Sequence, residues 1–279
     1  MMISIDVDME VYKALSALRP SDDAPHNAAL RNLLGLAEGQ AAIAQAPRAK
    51  PKAGPPSSGG QAKPRHAPAK RSGPAPKIAV LGATGSIGGK IVDEALSRGI
   101  EVVAVARDPS KVTPKAGVSV KVANANDPQA LAAALTGTDA VLVAVRWADA
   151  DVNKLLEGVR ASGVKRSMFV VGCGTLLRDD GRRHFKHAAE ANGVPPPPTV
   201  PAMRVLETLK SSDDLDWTAI SCAMDIGPGE RTGHFRVGGE DMVLDAEGES
   251  RISTQDFAIA VLDEIEEPHF VRRQFGVGY

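Results

Sequence analysis

Residues 77–113, KIAVLGATGSIGGKIVDEALSRGIEVVAVARDPSKVT, constrain this chain more than any other stretch. Lys77–Leu81 is a short aliphatic run of the kind buried on both faces of a parallel sheet. It breaks at Gly82-Ala83-Thr84-Gly85-Ser86-Ile87-Gly88. A helix with apolar Ile87, Ile91, Ala95 and Leu96 follows, then Gly99 and a second apolar strand, Glu101–Ala106. The spacing predicts a strand–turn–helix–strand unit. In such a unit Gly82 permits the tight turn, Gly85 lets backbone approach a pyrophosphate, and Gly88 lets the helix lie close on the strand. The helix N-terminus, with its free N–H groups and roughly half a positive charge, then faces the diphosphate. A glycine triplet alone also marks ordinary loops; its place between two strands and a helix argues for nucleotide binding, with Thr84, Ser86 and Ile87 beside the phosphates.

The end of the second strand reads Val105-Ala106-Arg107-Asp108-Pro109-Ser110-Lys111. A carboxylate at this strand end accepts from the ribose 2′-OH of NAD. Here Ala106 holds that position, and Arg107 with Lys111 offers charge-assisted contacts to the 2′-phosphate of NADP instead. NADP(H) is therefore favoured over NAD(H). In the competing reading Asp108 is the ribose carboxylate and Arg107 a solvated charge.

The rest of the chain keeps alternating. Val118–Ala123, Asp139–Val145, Arg166–Gly172 and Trp217–Cys222 read as strands. Asp127–Leu135, Val152–Ala161, a helix containing Leu206–Ser211, and Thr254–Glu266 with Ser253 as its N-cap read as helices. Short strands alternating with helices predict an α/β fold, a Rossmann-like doubly wound parallel sheet over residues 77–279. Ligands of such sheets lie at the carboxyl ends of the strands. Asn124 and Ala125 would flank the adenine there and Val145 and Arg146 the nicotinamide ribose, with Gly172 at the next strand end. Gly193–Thr199, with four consecutive prolines, cannot be helical and is expected to border the substrate side.

Charge separates this domain from what precedes it. The net charge of −1 over 279 residues points to no overall electrostatic partner, yet no acidic residue occurs from Gly39 to Val92. Residues 41–76, dominated by Ala, Pro, Gly and Ser with interspersed Lys and Arg, bury too little apolar surface to offset their ordering entropy. They read as a disordered basic linker, a solvated spacer with at most weak nonspecific nucleic-acid affinity. In residues 1–40, Ile3, Ile5 and Val7 alternate as in a strand. Val11, Leu15 and Leu18 fit one helix, and Ala28, Leu30, Leu33, Leu34 and Leu36 a second. One strand and two helices are too small for a lone core, so the unit predicts a homo-oligomer.

That N-terminal pattern resembles the ribbon-helix-helix fold and is similar to the N-terminal oligomerisation module of the bacterial replication-sequestration protein. The resemblance rests on Ile3–Val7, Asp8-Met9-Glu10-Val11-Tyr12 and Ala29-Leu30-Arg31-Asn32-Leu33-Leu34. A DNA-reading ribbon should be basic outward; this one offers Met2, Ser4 and Asp6, and Asp6 would repel phosphates. An oligomerising module is the better expectation.

No run approaches a membrane span, and the N-terminus lacks the basic-then-apolar layout of a signal peptide. A cytoplasmic protein with no membrane contact is expected. The only cysteines, Cys173 and Cys222, lie in apolar contexts, and no metal site is expected.

From Lys77 to Tyr279 the chain resembles the atypical short-chain dehydrogenase/reductase superfamily. Within it the likeness is to the NAD(P)H-binding group of flavin reductase/biliverdin-IXβ reductase-like and NmrA-like proteins. The motif GATGxxG is widely shared there. The block Gly227–Gly239, Asp245–Ser253, Asp256-Phe-Ala and Phe275–Tyr279 looks like the NADH-flavin reductase subgroup. Most short-chain dehydrogenases use a Tyr-x-x-x-Lys pair for proton transfer. Here the only tyrosines are Tyr12 and Tyr279, neither followed by lysine at that spacing, and the superfamily's usual serine position reads Gly174-Thr175. A tyrosine-based dehydrogenase or epimerase mechanism is disfavoured. Flavin reduction, which needs only hydride transfer between stacked rings, tolerates the missing pair.

The resemblance therefore implies an NAD(P)H-dependent oxidoreductase acting on flavin or a similar conjugated small-molecule acceptor. Its alternative is a non-catalytic NADP(H)-binding redox sensor of NmrA type. Thr175 and His234 are the residual catalytic candidates, against structural roles for both. Arg231 and Ser253 are expected to organise the tail block, and His184 with His187 to form a solvated helix end.

Overall fold

The computed structural model describes residues 63–64, 75–192 and 199–279. The oligomerisation module expected over 1–40, most of the 41–76 linker and the proline loop 193–198 lie outside the described residues. Among the described residues a nine-stranded sheet forms the centre. The strands and helices are β1 (Ile78–Leu81), α1 (Ser86–Ser97), β2 (Val102–Ala106), β3 (Val118–Val122), α2 (Pro128–Leu135), β4 (Ala140–Val143), α3 (Val152–Ser162), β5 (Arg166–Val171), α4 (His184–Asn192), α5 (Thr199–Lys210), β6 (Asp216–Ser221), β7 (Asp225–Gly227), β8 (Arg236–Gly238), β9 (Arg251–Ser253), α6 (Thr254–Glu266) and β10 (Arg273–Gly278); β7 and β9 pair in parallel as a separate two-stranded sheet.

The order across the sheet is β3-β2-β1-β4-β5-β6-β10-β8, closed by the two-residue strand Lys63–Pro64. Neighbours from β3 to β10 are parallel. β8 joins β10 antiparallel, and Lys63–Pro64 joins β8 antiparallel. The sheet is thus doubly wound and mostly parallel, with an antiparallel margin that alternating periodicity could not reveal in three-residue strands. Lys63–Pro64, within the expected linker, belongs to that margin.

Each strand interior alternates between two cores. Leu81, Val103, Val143, Phe169 and Trp217 pack beneath Leu131, Leu155, Leu156 and Leu206 of α2, α3 and α5. Ile78, Val80, Val102, Leu142 and Phe275 pack beneath Ile91, Ala95, Phe257 and Val261 of α1 and α6. Burial on both faces is why these strands read as unbroken apolar runs. β3 differs: it is the edge strand among the described residues, and Val120 and Val122 remain exposed.

Several helix starts follow local chemistry. Asp127 accepts from the Ala130 amide at 3.1 Å, Asp151 from Asn153 at 2.8 Å, and Ser253 from Asp256 at 3.0 Å. Such caps contribute about 1 kcal/mol each. Thr199, expected in a loop, is instead the first residue of α5.

β1 is flanked by β2 on one side and β4 on the other, so the chain reverses direction across the sheet there. A crevice opens at such a switch point, beyond the carboxyl ends of the strands.

Candidate functional site

The turn after β1 has the conformation its glycines predict. Gly82 holds φ +84°, and a Cβ on it would sit 2.2 Å from the Ala144 carbonyl oxygen at the end of β4. On Gly88 a Cβ would meet the Gly82 carbonyl oxygen at 2.1 Å, so α1 rests directly on the turn. Gly85 is the helix N-cap and has no side chain to cap it. Its Cβ position is crowded only by the Gly82 carbonyl oxygen at 3.3 Å. First-turn amides have no partner within their own helix.

A cleft of about 300 Å³ lies over this turn. Gly82, Thr84 and Gly85 form one wall. Ala106, Arg107, Asp108 and Lys111 come from the end of β2, Asn124 and Ala125 from the end of β3, and Val145, Arg146, Asp149 and Ala150 from beyond β4. Nine residues expected at a cofactor therefore come together: Gly82, Thr84, Gly85, Arg107, Lys111, Asn124, Ala125, Val145 and Arg146. Four do not line it. Ser86 faces a neighbouring cleft, and Ile87 and Gly88 belong to the helix packed against the turn. Gly172 caps the 3-10 turn Cys173–Thr175.

Arg107 is exposed at the rim, and no hydrogen bond or ion pair holds it among the described residues. Asp108, its competitor for the ribose, is committed locally. Its Oδ1 accepts from the Ser110 hydroxyl at 2.6 Å and the Ser110 amide at 3.1 Å. These bonds hold its carboxyl below the usual aspartate range. Lys111 Nζ lies 3.8 Å from Asp108 Oδ2. Arg146 folds back on its own loop, donating to Asp149 Oδ2 through Nε at 2.9 Å and Nη2 at 2.6 Å. The loop itself is anchored by buried Trp147, whose Nε1 donates to the Val170 carbonyl at 2.7 Å.

Two residues that sequence reasoning missed support the cleft. Asn126 donates to the Asp149 carbonyl at 3.0 Å and accepts from the Asp151 amide at 2.8 Å, clasping the loops after β3 and β4 together. Asp149 orients Arg146, and the Arg-x-x-Asp spacing was the only signal for it.

The two catalytic candidates occupy other places. Thr175 is fully buried. Its hydroxyl donates to the Gly172 carbonyl at 2.8 Å, lies 2.9 Å from Ser221 Oγ and accepts from Gln274 Nε2 at 2.7 Å. It joins β5, β6 and β10, and its hydrogen-bonding capacity is spent on the fold. His234 is exposed, its Nδ1 against the Thr232 carbonyl at 2.8 Å, and it lines neither cleft described here. The tail segment that carries it is pinned from two sides. Arg231 forks onto Glu94 of α1 at 2.8 and 2.9 Å. Asp256 of α6, fully buried, accepts from Thr232 Oγ1 at 2.5 Å, Gly233 N at 2.8 Å and Tyr279 Oη at 3.1 Å.

Glu94 is only 5% exposed. Burial pushes its carboxyl up, but the Arg231 and Arg98 guanidiniums outweigh that and leave it below the ordinary glutamate range. His187 lies 3.1 Å from Asp180, while His184 Nδ1 is buried without a partner among the described residues. Burial pushes His184 below the ordinary histidine range, as do the Arg178 and His187 charges. Burial, and then Cys173, pushes the half-buried Cys222 thiol up to about 12. Among the described residues no cluster of His, Cys, Asp or Glu is suited to a metal ion, and no helix is long and apolar enough to cross a membrane.

Three comparisons bear on this geometry. A family model described as NAD(P)H-binding matches residues 82–268. The uncharacterised protein YwnB of Bacillus subtilis is 32% identical over 210 residues, 72% of this chain and 97% of that protein. Among solved structures, a candidate epimerase from Bacteroides thetaiotaomicron is 33% identical with a TM-score of 0.66, covering 74% of this chain and 98% of that one. A candidate NADH-flavin reductase from Streptococcus pneumoniae is 27% identical with a TM-score of 0.62, covering 73% and 99%.

Proposed function

This chain belongs to the NAD(P)H-binding family, and we propose that it is an NADPH-dependent reductase passing hydride to a flavin or a similar flat conjugated acceptor. One observation carries the choice of NADPH: among the described residues Arg107 stands unpaired at the cleft rim, while its rival Asp108 is occupied by Ser110. The crowded glycine turn fits a dinucleotide. A side chain at Gly82 would strike backbone, whereas Gly85 leaves room for a diphosphate against the amides of α1. Arg107 and Lys111 take the 2′-phosphate, Asn124 and Ala125 lie beside the adenine, and Val145 packs on the nicotinamide ribose.

Bound NADPH supplies a hydride. The acceptor needs no acid from this chain if it is a flavin, which takes its proton from water. That suits a domain with no Tyr-x-x-x-Lys pair and with Thr175 committed to the fold. The pneumococcal candidate NADH-flavin reductase supports the same acceptor class. A second reading draws on the spent hydroxyl of Thr175: a redox sensor that binds NADP(H) without turnover.

Steady-state NADPH oxidation with FMN, FAD and quinones, beside calorimetric titration of NADP⁺ and NAD⁺, separates the two. Turnover with a conjugated acceptor is the expected result. Tight binding without turnover establishes the sensor, and no binding of either dinucleotide overturns both. Self-association through residues 1–40, a cytoplasmic location and weak nonspecific nucleic-acid binding by the linker complete the proposal.

A further inference from the structure

A second cleft, of about 270 Å³, lies behind the glycine turn, on the α1 side. It shares Thr84, Gly85 and Lys111 with the dinucleotide cleft, so the turn is a partition between the two. One wall is α1, which contributes Ser86, Lys90 and Asp93; the other is the segment after a 3-10 turn at Pro109–Lys111, with Thr113 and Lys115.

The charge of this cleft is unbalanced. Three ammonium groups line it against the single carboxylate of Asp93. Lys90 Nζ lies 3.2 Å from Asp93 Oδ2, and Lys115 pairs with Oδ1 of the same residue. Burial raises the Asp93 carboxyl, but the two lysines outweigh that and hold it below the ordinary range, so it stays ionised. Two cations on one anion leave a surplus of one, and Lys111, whose own charge is met by Asp108 at 3.8 Å, adds a third donor. Lys90 and Lys115 are each 40% exposed, so their ammonium groups swing without repacking the core. The hydroxyls of Thr84, Ser86 and Thr113 supply neutral donors around the same space.

We propose that this second cleft is a phosphomonoester-dianion site, with Lys90, Lys111 and Lys115 around the anion and Asp93 gathering two of them. The dianion is the 2′-phosphate of the cofactor, held between Arg107 at the rim and these lysines across Lys111, which lines both clefts, or a free phosphate. The first source rests on the cofactor reading above; the second does not.

Calorimetric titration of the full chain with NADP⁺, NAD⁺ and inorganic phosphate at fixed ionic strength tests this, using wild type, Lys115→Ala and Lys115→Arg. Lys115 sits outside the dinucleotide cleft, and thermal melts check that each variant stays folded. If the source is the cofactor, Lys115→Ala weakens NADP⁺ about five- to ten-fold, leaves NAD⁺ within two-fold, and is rescued by Lys115→Arg. If the source is free phosphate, the same loss falls on phosphate and spares both dinucleotides. Equal loss for NADP⁺ and NAD⁺, or no change for any of the three, overturns the site. A wild type that binds phosphate but neither dinucleotide refutes the cofactor reading and leaves the site standing.

Discussion

Gly88→Ala and Gly85→Val should separate folding from binding at the glycine turn. A Cβ on Gly88 would stand 2.1 Å from the Gly82 carbonyl oxygen and 2.7 Å from its carbon, well inside any real contact. Relief requires α1 or the turn to move by about 1 Å. Both are held, α1 by buried Ile91 and Ala95 and the turn by β1. Overpacking of this kind costs about 1–3 kcal/mol, and with backbone rather than a side chain as the obstacle the upper half of that range applies. Gly85 is different. Its φ of −81° suits any residue, and an added Cβ meets one oxygen at 3.3 Å. Gly85→Val should cost the fold less than about 1 kcal/mol while placing a branched side chain where the diphosphate rests. Urea melts followed by circular dichroism should show Gly88→Ala clearly destabilised and Gly85→Val near wild type. Calorimetry with NADP⁺ should show binding lost in Gly85→Val. Wild-type affinity in that variant would refute the placement of the cofactor, and an unperturbed Gly88→Ala melt would refute the close approach of α1.

Arg107→Ala should weaken NADPH by about 1.5–3 kcal/mol and leave NADH nearly unchanged, measured by titration; equal losses would restore Asp108 as the ribose ligand. Glu94→Gln should cost about 1–3 kcal/mol at neutral pH, because two arginines lose a buried partner. The folded carboxyl titrates below its unfolded value, so this stabilisation is present above the ordinary glutamate range and lost as pH falls through the folded value. The variant's acid-unfolding limb should accordingly be flatter than wild type. Iodoacetamide at pH 8–9 should leave Cys222 unmodified in the native protein and modify it in urea, since the folded thiol titrates at about 12; native labelling seen by mass spectrometry would contradict this. Deleting residues 1–76 should leave a folded, NADP-binding fragment of smaller sedimentation mass; an unchanged association state in the ultracentrifuge would remove 1–40 as the assembly device.

The sequence discloses those parts of the site that local chemistry decides. Gly82, Gly85 and Gly88 are legible because each relieves a clash between neighbours in sequence or between a strand and its own helix. Arg107 and Lys111 are legible because a strand end faces the crevice by rule. Lys90, Asp93 and Lys115 were not, since the second cleft exists only once α1 and the segment after β2 pack side by side. Asn126 looks like an ordinary turn residue until Asp149 arrives from the next crossover. Thr175 reads as a ligand donor after a strand, and only the packing of β6 and β10 around it reveals that Ser221 and Gln274 consume its hydroxyl. Glu94 breaks the apolar face of α1 in sequence; Arg98 and Arg231 make its burial tolerable.

The position of β10 has a consequence for how the chain is made. β8 leaves the ribosome before β10, yet it meets the parallel sheet only across β10, which lies between it and β6. Every wall of the dinucleotide cleft comes from residues upstream of β5. A nascent chain halted after α6 therefore already carries the cleft, while β8 waits for the strand that will join it to the sheet. The stretch bearing Arg231 and His234 runs straight into β8, so synthesis completes the cofactor half first and the margin beyond β6 last.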